Sequence, residues 1–351
     1  MKSNYRYIVK AFMAMAVIAG TTSCDDFLDR EPMSSISPET YYSTAAQLEA
    51  NLNDEYPNVL PSFGQWTYGI FGEDKGTDNQ IEVNANDRYT QDRWKVPHSE
   101  SDNWKFERIY RINFFLSEAL PKFGEDMSGS QNTISGSVAT IKHYIGEMYF
   151  LRAYEYFKKL QLFGDFPIIN QPLADEMEAL REASKRFPRN EVARFIISDL
   201  DKAYAYMSDV DMATTRINKD VAMLVKSRVA LFEATWLQNF KGTAFVPGGE
   251  GWPGASLHNN YQYPSGNIDN EVKYFLEQAV EASKLVADKY KGSLTENTGV
   301  LQQSADDPSN PYFDMFAQED LSDVKEVLLW RQYARGLSTH NINAAAGRGN
   351  Y

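Results

Sequence analysis

Residues 141–163, IKHYIGEMYFLRAYEYFKKLQLF, place Ile141, Ile145, Met148, Tyr149, Ala153, Tyr156, Phe157 and Leu160 at intervals of three and four. That spacing lines up on one face only in an α-helix. Gly164 directly follows the run and Pro167 cannot continue it, so the helix is expected to stop at Phe163. A chain built around so long a helix must supply further helices to cover it.

The same period recurs along the chain. Ser37 followed by Pro38 reads as a helix start, with Tyr41, Ala45, Leu48 and Leu52 as the stripe. From Asn103 to Leu120, Trp104, Ile109, Ile112, Phe115, Leu116 and Leu120 keep helical spacing. Asn190 is expected to cap a helix with Val192, Phe195, Ile196, Leu200 and Ala203 on its apolar face. Asn218 caps another, carrying Val221, Leu224, Val225, Val229, Phe232 and Trp236, and one more spans about 268–290. Trp104, Trp236 and Trp330 fall on apolar stripes and are expected in the core. The Ala153-x-x-x-Phe157 pair matches one part of a tetratricopeptide pattern, but no strict repeat is evident. The expected fold is therefore mainly α. It is an irregular, tetratricopeptide-like helical scaffold with long loops and few short strands, the strands falling in the tail near Glu326–Trp330.

The N-terminus has a different character. Lys2, Arg6 and Lys10 precede an uncharged run, Ala11–Gly20, then Thr21, Thr22, Ser23 and Cys24, the only cysteine. The run is too short for a membrane-spanning helix, which needs ~20 residues, and has the form of a secretory signal. Residues 1–23 are read as a signal, 24–36 as a polar tether and 37–351 as the folded domain. A single cysteine allows no intramolecular disulfide, so packing alone must hold the fold. The formal charge of −13 repels phosphate backbones and argues against nucleic acid as a partner.

Several short patterns carry no chemistry. Gly249-x-Gly251-x-x-Gly254 has the spacing of a dinucleotide fingerprint, but Pro253 interrupts it and no strand precedes it. His98, His143, His258 and His340 lack the spacing of a zinc site. Asn84, Asn86 and Asp87 lack the glycine and closing glutamate of a calcium loop. No metal and no cofactor is expected. Glu73, Asp74, Asp78, Asp87 and Asp92 could include an acid–base pair, yet nothing in a loop fixes the separation that glycoside hydrolysis needs, and 48 acidic residues make adjacent ones commonplace.

Six blocks, in order, resemble the SusD/RagB family of nutrient-binding outer-membrane lipoproteins. They are C-D-D-F-L-D-x-x-P at Cys24–Pro32, the Trp104–Leu116 block, L-R-A-Y-x-Y-F at Leu151–Phe157 with L-F-G-D-F-P at Leu162–Pro167, Pro188-Arg189 with the following Ile196–Ala203 segment, the 219–237 helix, and E-V-L-L-W at Glu326–Trp330. The resemblance implies a tetratricopeptide-like core and lipidation (palmitate) of Cys24, with Asp25 and Asp26 directing the protein to the cell surface. It implies a SusC-like TonB-dependent outer-membrane transporter as partner, and no enzymatic activity. The family's N-terminal part maps to about 24–237 and its remainder begins near 270. Family chains are commonly longer, so this one is read as an incomplete member.

Within that resemblance, the loop region 57–103 is the expected ligand face. Trp66 and Trp94 lie in irregular segments, and Asp74, Asn79, Asp92 and Arg93 are their neighbours in sequence. Sugar rings present apolar C–H faces that lie flat on aromatic rings, while their hydroxyls need polar partners at the edge. Trp252 is a weaker candidate of the same kind. The leading expectation is capture of oligosaccharide nutrients. The alternatives are a peptide-binding, RagB-like uptake lipoprotein and, ranked last, a secreted glycoside hydrolase.

Overall fold

A computed structural model describes residues 41–61 and 103–332, apart from positions 125, 209–212, 302–303 and 305. Eight α-helices follow one another among the described residues. They are α1 (Ala45–Glu55), α2 (Glu107–Phe123), α3 (Val138–Phe163), α4 (Met177–Ala183), α5 (Arg189–Tyr206), α6 (Lys219–Asn239), α7 (Ile268–Tyr290) and α8 (Pro311–Ala317). Tyr41 and Tyr42 belong to a separate N-terminal unit, where their rings meet edge to face. The unit beginning at Ser43 holds all eight helices.

Local sequence explains most of the helix boundaries. Thr44 and Gln47 form a capping box at the start of α1. Ser137, Asn218, Asn267 and Asn310 each accept a backbone N–H from the first turn of α3, α6, α7 and α8. Two expected starts differ. α1 begins at Ala45 behind its Thr44 cap, while Ser37 and Pro38 lie outside the described residues. Asn190 does not cap α5: it lies inside the helix, and the Arg189 N–H is satisfied instead by Asp165 Oδ1 at 2.9 Å. A cap supplied from 24 positions away leaves no local signature.

The helices pack in chain order, α2 on α3, α3 on α5, α5 on α6 and α6 on α7, with α1 also on α3. Side-chain pairs show α2 and α3, α5 and α6, and α6 and α7 to be antiparallel. Arg108 meets Glu155 while Asn113 meets Arg152. Arg189 meets Glu233 while Asp201 meets Lys226, and Asp220 meets Lys289 while Ser227 meets Ala279. This is the stacking of a helical-repeat scaffold, in which each element covers its neighbour. α3 lies at the centre and is buried almost throughout from Ile141 to Leu160. Gly146 allows a close approach of α3 to the end of α5, since a Cβ there would stand 2.8 Å from Met207 N and 2.9 Å from Ala203 O.

The core contains charge as well as hydrocarbon. Arg152 grips Asp199 through two bonds of 2.6 and 2.9 Å and also reaches Asn113 and the Asn170 carbonyl. Arg189 grips Glu233, and Arg194 grips Glu271, so α5 is tied to α3, α6 and α7 by arginine–carboxylate forks. Among the described residues only isolated bridges occur, Thr44 with Ser135 and Phe166 with Phe187. The strand expected near Glu326–Trp330 is not formed; Trp330 instead docks on Thr214 through its backbone and indole N–H groups.

Candidate functional site

A cleft of about 490 Å³ opens where α3 ends, α5 begins and the loop after α6 folds back. α3 stops at Phe163 because Gly164, with φ of 69°, turns the chain after donating its N–H to Leu160. Asp165 and Phe166 follow, and Phe166 pairs with Phe187 through both backbone bonds, at 3.0 and 3.2 Å. That pairing sets Arg186 and Arg189 beside the end of α3. Phe163 and Phe166 rest against Trp104, with centroids 4.9 Å apart in each case.

The opposite wall is the loop 240–258. Trp252 is 5% exposed and donates its indole N–H to Asp165 Oδ2 at 2.7 Å. Gly254 lies under that ring, where a Cβ would come within 2.2 Å of it, and a Cβ on Gly249 would meet the Thr243 carbonyl at 1.9 Å. The glycines at 249 and 254 thus serve a tight turn, in keeping with the loop reading of this motif. Trp236 donates its indole N–H to the Phe245 carbonyl at 3.0 Å, and its ring lies 4.1 Å from the Arg189 guanidinium carbon. His258 Nε2 donates to the Arg186 carbonyl at 2.8 Å, and Tyr263 donates to the Pro247 carbonyl at 2.7 Å.

Both carboxylates of the site are engaged. Asp165 accepts from Trp252 and from the Arg189 backbone, and burial still raises its pKa above the ordinary value. Glu233 is fully buried behind Arg189, and desolvation raises its pKa despite that partner. Glu271, on α7 and paired with Arg194 of α5, shows the opposite balance. Burial pushes it up, but hydrogen bonds from Arg194, Asn190 and Ser265 bring it below its ordinary value. Arg186 differs from Arg189: it is exposed, its guanidinium lies 4.6 Å over the Trp104 ring, and among the described residues it forms no close ion pair, though its charge acts on Asp165 to lower that carboxyl's pKa. Among the described residues, no three His, Cys, Asp or Glu side chains converge as a metal site would require.

Trp66, Asp74, Asn79, Asp92, Arg93 and Trp94 lie outside the described residues, as does Cys24. The tryptophans within the described residues divide differently from expectation. Trp330 is buried, as its stripe implied. Trp104 and Trp236 are only half-buried, because each sits where its helix starts or ends and neighbouring helices no longer cover it. Trp252, expected as an open loop ring, is buried too, since its N–H finds Asp165. Sequence reasoning missed Phe245 and Arg186 altogether.

A family model described as "Starch-binding associating with outer membrane", of the SusD-like group, matches residues 26–231. Two curated SusD-like proteins of Formosa agariphila are each 25% identical to this chain. P2 aligns over 69% of this chain and 46% of its own length, and P25 over 61% and 41%. The chain therefore spans less than half the length of these relatives. A SusD-like carbohydrate binding protein from Bacteroides vulgatus superposes with a TM-score of 0.40 at 14% identity, covering 74% of this chain and 47% of that one. No helix among the described residues is long and apolar enough to cross a membrane.

Proposed function

The chain belongs to the SusD-like family, and from that premise we propose that it captures oligosaccharides at the cell surface and passes them to a SusC-like TonB-dependent transporter. What carries this reading is the family match across residues 26–231, a family described as starch-binding and associated with the outer membrane. An acyl chain on Cys24 holds the protein to the outer membrane. The ligand lies against Trp94 and Trp66, with Asp74, Asn79, Asp92 and Arg93 supplying hydrogen bonds to its hydroxyls. Binding is weak and reversible stacking plus edge hydrogen bonds, with no bond broken in the sugar.

Calorimetric titration of the full chain with maltoheptaose, laminarihexaose, xylohexaose and mixed tryptic peptides tests this directly. Saturable heat with a glycan supports it; heat with peptides alone replaces it with peptide uptake, and release of shorter sugars replaces it with hydrolysis. Trp94→Ala should abolish glycan binding, and unchanged affinity removes that ring from the site. Incorporation of labelled palmitate into the native chain but not into Cys24→Ser checks the anchor.

A further inference from the structure

We infer that the cleft between the end of α3 and the loop 240–258 is a further carbohydrate subsite, in which a pyranose ring lies on Phe245 and takes hydrogen bonds from Arg186 and Gln161. The inference rests on the glycan reading above and adds a place and residues to it.

The first observation is the state of Phe245. Its side chain is 61% exposed, although a buried phenylalanine would gain ~1.5–3 kcal/mol over an exposed one. The exposure does not come from a loosely held segment. The Phe245 carbonyl is fixed by the Trp236 indole, its ring meets Phe240 edge to face at 5.4 Å, and the loop around it is pinned at Trp252, His258 and Tyr263. A rigid, half-open ring at the rim of a cavity is a prepared apolar surface.

The second observation is which polar groups remain free. Asp165 and Glu233 are occupied by Trp252 and Arg189, so they hold the walls in place. The Arg186 guanidinium and the exposed Gln161 amide have no hydrogen-bond partner among the described residues. Arg186 is nonetheless held in place by the Trp104 ring beneath it. The cleft thus combines one open ring face, a mainly donor rim and a volume of about 490 Å³, within the ~300–1,000 Å³ of small-molecule sites. A sugar has the matching form: an apolar C–H face and a perimeter of acceptor oxygens. A flat hydrocarbon would satisfy Phe245 and leave Arg186 and Gln161 without partners.

The test is calorimetry on the full chain with the same three oligosaccharides, comparing the native protein with Phe245→Ala and Arg186→Gln. Both side chains are exposed, so the fold should survive, and circular dichroism checks that it does. Phe245→Ala should weaken glycan binding about tenfold, near the upper value of a ring contact, and Arg186→Gln by a smaller factor of about three to ten. Native binding with unchanged affinity in both variants overturns the subsite while leaving the glycan reading intact. Absence of glycan binding by the native chain overturns both. Saturation-transfer NMR with the bound oligosaccharide gives an independent readout: sugar C–H signals that lose their enhancement in Phe245→Ala support the subsite, and equal enhancement counts against it.

Discussion

The helical stack and the loop 240–258 meet at the same cleft, yet they are held together by different means. In the stack, arginines and carboxylates are removed from water together and joined by two or more bonds, as in Arg152 with Asp199 and Arg189 with Glu233. The loop is fastened at separate points by single hydrogen bonds, a buried one from Trp252 to Asp165 and others from Trp236, Tyr263 and His258, and by the exposed Lys241–Asp269 pair. Buried forks demand one geometry and are costly to break singly, whereas exposed ties can be lost one at a time. The stack therefore fixes where the cleft is, and the loop decides which apolar side chains face into it.

The sharpest way to break that comparison is at Arg152. Arg152→Ala leaves Asp199, with no exposed surface, with only the partly exposed Lys202 at 3.6 Å as counter-charge, and also strips Asn113 of a donor. It should cost about 3–5 kcal/mol in urea unfolding. The double variant Arg152→Met with Asp199→Leu should recover most of that loss, because no charge is then buried alone. A loss below about 1 kcal/mol for the single variant would place the pair in the same class as a surface ion pair and erase the contrast drawn here.

Titration with base probes the stack without mutation. Burial pushes the Tyr149 phenol from its ordinary 10.0 up to about 12, with Arg152 opposing the rise only in part. Tyr56, Tyr156, Tyr261 and Tyr263 are likewise raised, chiefly by burial. A phenol whose folded pKa lies above its unfolded one supports the fold fully below the unfolded value. That support is lost as pH rises through the folded value. Stability should therefore fall from about pH 10 towards 12, with phenolate absorbance from these tyrosines appearing together with the loss of helical circular dichroism. Titration of these tyrosines about a midpoint near pH 10 in a still-helical protein would show that the rings are open to water.

Much of the stack is readable in the chain itself. The stripes and asparagine caps of α6 and α7 set their boundaries, because cap, first turn and apolar period lie within one stretch of sequence. α4 and α8 escaped, each being a single short segment of 7 residues in which no period can establish itself. Asn190 misled because α5 is capped by Asp165, a residue from the preceding turn. The cleft was harder still. The tryptophan periodicity of α6 gave Trp236 a place on a stripe without showing that the stripe runs out beyond its neighbours. Phe245 looked like any loop aromatic. What distinguishes it is a hydrogen bond to its carbonyl from Trp236 and a ring left open, and neither has a sequence signature. Trp66, Asp74, Asn79, Asp92, Arg93 and Trp94 lie outside the described residues.

The smallest effect is expected at the loop's own ion pair, and its smallness is informative. Lys241 Nζ lies 2.6 and 2.7 Å from the two oxygens of Asp269, good geometry, but the side chains are 52% and 71% exposed. Water and salt screen such a pair, so Lys241→Gln should cost about 0.2–1 kcal/mol, and nothing measurable in about 1 M salt, where the screening length is only about 3 Å. Comparing urea midpoints of native and variant protein at low and high salt isolates that term. Glycan affinity should be unchanged, since Phe245 is held by Trp236 and not by Lys241. A loss of affinity in Lys241→Gln that salt reproduces in the native chain would show instead that the surface pair sets the position of the loop wall, and that the cleft is shaped by its weakest tie.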